Sequence, residues 1–143
     1  MGDPSAAFRE GLVLLSEHKH PFAPVERIDR LTISKSTLLM REQGSETRDL
    51  VLTQMQRHRY VPGRTIEVSS RDGVLQASMA GMGLAAVSLD EIDLPSSMRI
   101  VRFKGFRVFG VLHAVYLRRR AETRLISQFM RTVLPAASSV QRG

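Results

Sequence analysis

The stretch TLLMREQGSETRDLVLTQMQRH, Thr37–His58, carries the reading of the fold. It opens on a short apolar run, Thr37–Glu42, of the kind that forms a buried strand. Beyond Gly44 and Ser45 the spacing turns helical: Leu50, Val51 and Met55 share one face, while Arg48, Asp49, Gln56 and Arg57 lie elsewhere. Ser45 is a favoured N-cap residue, and Glu46 and Asp49 suit the positive end of a helix dipole. Pro62-Gly63-Arg64 then makes a turn, and TIEVS, Thr65–Ser69, is rich in β-branched residues and reads as the next strand.

The same alternation extends in both directions. On the N-terminal side, Gly11–Glu17 reads as a buried strand, and the proline-containing HKHPFAPVERIDRL as a loop with room for one helical turn. On the C-terminal side, SRDGVLQASMAGMG admits two readings. Asp72-Gly73 could close a hairpin, or Ser70 could cap a helix through Ala80 that Gly81 ends. The helix is preferred, because QASMA is helix-forming and Val74, Leu75, Ser78 and Met79 recur at helical spacing. LAAVS (Leu84–Ser88), MRIVRF (Met98–Phe103) and VLHAVYL (Val111–Leu117) are further strands. SLDEIDLPSS is a capped turn and loop, and KGFRVFG a glycine-bounded connector. Ala121–Leu134 is a helix with a stripe of Leu125, Ile126, Phe129, Met130, Val133 and Leu134. Strands alternating with helices predict an α/β layer fold with a largely parallel sheet.

Composition narrows the class. A chain of 143 residues with 43% hydrophobic and 24% charged residues fits one globular domain. No apolar run approaches the roughly 20 residues that span a bilayer, and the N-terminus has no signal-peptide pattern. The absence of cysteine excludes disulfides and thiolate zinc sites, and fits a cytoplasmic protein. The net charge of +7 is uneven: residues 1–98 hold 11 basic and 13 acidic residues, residues 99–143 ten basic and one acidic. This asymmetry suggests a nucleic-acid surface, against the plainer reading of a basic face on a terminal strand and helix. No basic run carries interleaved aromatics for base stacking.

The candidate sites are strand-to-helix junctions. In REQGSETR, Arg41–Arg48, a strand end passing through Gly44 into a helix N-terminus offers free backbone N–H groups to a carboxylate or phosphate. The plainer reading is that Ser45 merely caps the helix. The pattern is not a P-loop, since no Lys follows Gly44, nor a G-x-S-x-G elbow. Ser69-Ser70 is a second junction of the same type, equally readable as a cap alone. Gly81-Met82-Gly83 is too short for a dinucleotide fingerprint. His18 and His20 would share a strand face and could bind metal, but no further ligand supports this and a solvated loop is preferred; no metal or cofactor is expected. Arg118-Arg119-Arg120 could touch nucleic acid, or simply end a strand in solvent. No nucleophile–base–acid set or paired carboxylates stand at meaningful spacing, so no catalytic residue and no enzyme is expected.

Taken in order, LVLLSEHKHPFA, the strand into REQGSETR, the helix, EVSSRDGVLQASMAGMGLAAVS, and VYLRRR into an amphipathic helix resemble the effector-binding domain of LysR-type bacterial transcription regulators, over Gly11–Leu134. The resemblance implies a periplasmic-binding-protein-like fold of two α/β lobes with a small anionic effector between them. It assigns residues 11–116 to the second lobe with both hinge crossings, near Gly11–Ser16 and Leu112–Tyr116. It assigns 117–136 to a strand end and helix of the first lobe, and leaves 1–10 and 137–143 as disordered or flexible ends. The helix-turn-helix and most of the first lobe are expected to be missing, so DNA is reached only through that absent domain and a specific operator is not bound by this chain alone. The implied effector contacts fall on Gly44, Ser45 and Thr47, with Gln43, Arg41, Ser69 and Ser70 beside them. The implied homo-oligomer face falls on helix 46–58 and strand 65–69: Leu50, Gln54, Arg57, Thr65 and Glu67. Without a partner this face would expose apolar area. The sequence departs from the family at Gln43 and Ser88, where proline is common. The other function class is a small basic nucleic-acid-binding protein using the Arg-rich C-terminal portion.

Overall fold

Leu12, Val13, Leu14 and Leu15 are consecutive and all buried. Successive strand residues point to opposite faces, so such a run needs cover on both. In the computed structural model, which describes residues 3–17 and 26–140, these four lie in strand β1 (Asp3–Glu17). After it come β2 (Arg27–Ile28), α1 (Arg30–Ser34), β3 (Thr37–Arg41), α2 (Glu46–Arg57), β4 (Arg64–Val68), α3 (Arg71–Met79), β5 (Leu84–Ser88), β6 (Met98–Phe103), β7 (Val108–Tyr116) and α4 (Arg124–Val140). Short 3₁₀ turns occupy Leu89–Glu91 and Arg118–Arg120.

The sheet runs β2-β6-β1-β5-β3-β4, with β7 pairing to β1 off this path. β3 is parallel to both β4 and β5, and β2 is parallel to β6. β1 is antiparallel to β5 on one side, with Val13 opposite Val87, and to β6 on the other, with Leu15 opposite Ile100. Five parallel strands therefore hold one reversed strand in their midst. The expected α/β class stands, with β1 as the exception to the parallel pattern.

Two cores follow from the two-residue period. Leu12, Leu14, Leu38, Met40, Leu84 and Ala86 face one way, onto Val51 and Met55 of α2. Val13, Leu15, Leu39, Ala85 and Val87 face the other, onto Val74 of α3. The strands read as continuous apolar runs because both faces are dry. The one buried polar side chain of α3, Ser78, donates to the carbonyl of Gly83 at 2.8 Å.

The chain forms two compact units, one of Gly11–Val108 and a second of Met1–Glu10 with Phe109–Gly143. Several expectations change here. Asp3–Glu10, expected to be disordered, are the first part of β1. Val108–Gly110, read as connector, already belong to β7, as their β-branched and aromatic side chains permit, and the second boundary falls before Phe109 rather than after Tyr116. The terminal helix continues past residue 136 to Val140. Its stripe is only partly covered: Met130 is 8% exposed, but Leu125 is 77% and Phe129 56% exposed. The His18-Lys19-His20 segment lies outside the described residues. Among those described, no helix is long and apolar enough to cross a membrane and no cluster of metal-ligating side chains forms.

The entry to β5 tolerates no side chain. A Cβ on Gly83 would lie 2.6 Å from the carbonyl oxygen of Thr37. Gly83→Ala is therefore expected to lower unfolding stability by about 1–3 kcal/mol in denaturant titrations, the usual cost of overpacking against backbone.

Candidate functional site

Because β3, β4 and β5 are parallel, their carboxyl ends lie on one side of the sheet. β3 ends at Arg41 and leads through Gly44 into α2. β4 ends at Val68 and leads through Ser69-Ser70 into α3. β5 ends at Ser88 and leads into the Leu89–Glu91 turn. Between them lies a small cleft, with the polar side chains of Arg41, Thr47, Arg71, Ser88 and Glu91 around it. Val74, Ala86 and Val87 complete the lining. It stands where open α/β sheets place ligands, beyond the carboxyl ends of strands and beside two helix N-termini.

The charges of the cleft are already matched. Arg41 donates from Nε and one terminal nitrogen to the two carboxylate oxygens of Glu42, both at 2.8 Å. This bidentate pair holds the Glu42 carboxyl down at about 2, and the Glu42 hydrogen bonds, with a smaller contribution from the charge of Glu91, raise the Arg41 guanidinium. Arg71 is paired with Glu91 at 3.1 Å. Arg48, just outside, donates at 2.8 Å to both the Arg41 carbonyl and the Glu67 carboxylate, tying the start of α2 to β3 and β4.

Of the residues singled out by sequence, Arg41 and Thr47 line the cleft. Gln43, Gly44, Ser45, Ser69 and Ser70 do not. Gly44 adopts φ +93° with open space around it, so glycine is required there by backbone conformation rather than by crowding. Ser45 stands at the N-cap of α2, but its hydroxyl makes no capping hydrogen bond, which corrects the expectation of a side-chain cap. Its carbonyl accepts from Asp49 instead, at 3.1 Å. Ser70 is a true cap: its Oγ accepts from the Gly73 N–H at 2.9 Å, so that hydroxyl is committed to α3. Arg71 and Glu91 are cleft residues that sequence reasoning misses. Each follows a strand end by a few residues, but nothing in a linear sequence brings position 71 beside position 91.

The implied oligomer face is also altered. β4 is an edge strand, as such a face requires. Leu50 and Gln54 are half-buried, with Leu50 packed on the core, and Arg57, Thr65 and Glu67 are exposed. None of the large exposed apolar side chains lies on α2 or β4, so the expected apolar area is not exposed there. The described basic residues of 99–143 fall in both units. Arg99, Arg102, Lys104 and Arg107 belong to the Gly11–Val108 unit, whereas Arg118–Arg120, Arg124 and Arg131 belong to the other.

Residues 5–138 match the LysR substrate binding domain family. The chain belongs to that family, and the characterised proteins it resembles are transcriptional regulators. It is 33% identical over 82 residues to the HTH-type transcriptional regulator CfxR of Cupriavidus necator, covering 57% of this chain and 26% of that protein. It is 44% identical over 66 residues to CbbR of Rhodospirillum rubrum, covering 46% of this chain and 22% of that protein. The matched part thus spans about a quarter of the length of these relatives. In structure, the chain is similar to the Synechocystis PCC6803 CcmR regulatory domain solved in complex with 2-PG, with a TM-score of 0.73, 22% identity, and coverage of 96% of this chain and 71% of that one. The effector-binding domain of QuiR in complex with shikimate gives a TM-score of 0.70 at 13% identity, covering 97% of this chain and 66% of that one. The fold is that of a LysR effector-binding domain, periplasmic-binding-protein-like in architecture.

The Arg41–Glu42 pair gives a pH signature. A carboxyl lowered from 4.5 to about 2 favours the folded state above the ordinary carboxylate range, and that contribution fades as pH falls through about 2. The Glu42 carboxyl is expected to titrate with a midpoint near 2 by NMR, and near its ordinary value in Arg41→Ala.

Proposed function

We propose that the chain is the effector-binding portion of a LysR-type transcriptional regulator, and that a small anion, a carboxylate or a phosphate, binds at the carboxyl ends of β3, β4 and β5. The observation that carries this reading is the cleft itself. Arg41, Arg71, Thr47 and Ser88 converge on it from two strand ends and two helix starts, which supplies both charge and hydroxyl donors to an anion. The named effector complexes of structural relatives support the ligand class, since shikimate and benzoate are carboxylates. In this reading Gly11–Val108 is the second lobe. Gly44 and Ser45 shape the start of α2 rather than grip the ligand, and Gln43, Ser69 and Ser70 border the site. The protein acts in the cytoplasm, and effector binding shifts the population of regulator conformations. Operator DNA is contacted by a helix-turn-helix region outside this sequence. The basic residues of 99–143 that motivate the nucleic-acid-binding alternative fall in both units.

Glu91 sets the affinity. Both cations of the cleft already hold a carboxylate, so an incoming anion must compete with Glu91 for Arg71. Glu91→Gln is expected to tighten the binding of small carboxylates or phosphates about three- to tenfold, as removal of a competing charge close to the ligand would. Calorimetric titration of the purified chain against a panel of such anions measures this. A panel in which neither form binds any anion, or in which Arg71→Gln binds as well as the wild type, would sink the assignment.

The oligomer face is assigned to the β4 edge and the outer side of α2, through Leu50, Gln54, Arg57, Thr65 and Glu67. An edge strand offers unpaired backbone groups to a second chain. Sedimentation at micromolar concentrations is expected to show a dimer or larger species, and Thr65→Arg to weaken it about tenfold or more, as a charge forced into an interface does. A wild-type chain that stays monomeric contradicts the assignment.

A further inference from the structure

At the opposite end of the sheet from β4, the edge strand β2 pairs with β6 through only two residue pairs, Arg27↔Arg102 and Ile28↔Phe103. Ile28 and Phe103 are buried, whereas Arg27 and Arg102 are exposed. Two guanidinium groups thus stand side by side on neighbouring strands, an arrangement that like-charge repulsion disfavours. A third joins them. After β6 the chain turns at Gly105, with φ +90°, and Arg107 comes back to line the same hollows as Arg27 and Arg102. These hollows share the three arginines and open to solvent. Glu26 is the one acid on the rim, so three positive charges face one negative. Among the described residues, none of the three arginines makes an ion pair or a side-chain hydrogen bond.

The surroundings narrow the ligand. Phe106 borders the second hollow, but it lies parallel to His58 at 4.2 Å and 2°, and nearly parallel to Phe103 at 4.7 Å and 17°. Two rings so close and so parallel cannot share one face of a third, so both faces of Phe106 are covered. Tyr60 meets its edge at 5.1 Å, and the Tyr60 hydroxyl donates to the Lys104 carbonyl at 2.8 Å, locking the turn that carries Arg107. Phe106, the ring at the rim, therefore offers no free face on which a base could stack, the feature that single-strand binders need. What remains is a cluster of guanidinium groups, each a planar fork suited to bidentate recognition of phosphate oxygens.

We infer that Arg27, Arg102 and Arg107 form a second anion site, separate from the cleft at the ends of β3, β4 and β5, that takes a compact phosphate-bearing ligand. Its occupant relieves the repulsion between the paired arginines. The site therefore adds stability as well as specificity, and does so through the short β2–β6 pairing at the far edge of the sheet.

Pyrophosphate is the probe, titrated into the full chain at low ionic strength and followed by the arginine Nε–Hε resonances and by the thermal midpoint. Binding is expected to perturb all three resonances and to raise the midpoint. Arg27→Gln, Arg102→Gln and Arg107→Gln should each weaken it about tenfold, the scale of a lost charge-assisted hydrogen bond. Arg102→Lys, which keeps the charge and loses the fork, should fall between. Arg41→Gln and Arg71→Gln, in the other cleft, should leave the pyrophosphate response of the Arg27, Arg102 and Arg107 resonances unchanged, so failure of the effector reading and failure of this one give different results. Equal affinity in wild type and in the Arg27→Gln/Arg102→Gln double variant, with the fold intact by circular dichroism, overturns the site. Displacement of pyrophosphate by a short DNA duplex at lower phosphate concentration also overturns it, in favour of a nucleic-acid surface.

Discussion

Strand β1 holds the sheet together. Leu12–Leu15 pair antiparallel with β5 and Leu14–Glu17 with β6, and the side chains of Leu12–Leu15 enter both cores. Without this strand the sheet divides into β2-β6 on one side and β5-β3-β4 on the other. The four residues are so apolar because a central strand covered on both faces has no side turned to water. Burying their side chains is worth roughly 1.5–3 kcal/mol each by area, against a net stability for a domain of only about 5–15 kcal/mol.

That arrangement determines where chemistry can occur. With β3, β4 and β5 parallel, three loops and two helix starts are delivered to one side of the sheet, and there the polar cleft lies. One edge, β4, is short and lined with exposed polar and charged residues, and the other, β2, is shorter still and carries paired arginines. The Gly44 conformation, the Ser70 cap and the Arg48 bridge all position elements around the cleft without lining it. Positioning and contact are thus separate tasks, assigned to different side chains.

Much of this is legible in one dimension because the period of burial is local. The strands at Thr37–Arg41, Arg64–Val68 and Leu84–Ser88, and the helices between them, follow from apolar runs, β-branched residues and helical spacing. Less of the site is legible. Arg41 and Thr47 lie on a recognisable strand-to-helix junction, but Ser45 and Ser70, alike in type and position, differ in whether the hydroxyl caps. A cap depends on a side-chain rotamer, and composition does not specify that. The concentration of arginine after residue 98 likewise suggests a single basic surface. Folding distributes those arginines over two compact units and sets one of them, Arg102, beside Arg27.

By itself, the sequence determined the class of fold, the order of its elements apart from β2, which lies in a stretch that reads as loop, and the family to which the chain belongs, because each rests on patterns within a few residues of one another. The tertiary structure alone decided that β1 is reversed, that Arg71 meets Glu91, and that Arg27, Arg102 and Arg107 share one edge. Those facts depend on which strands become neighbours. Strand order is set by the packing of whole faces against helices, a sum over many distant residues that no short stretch of sequence contains.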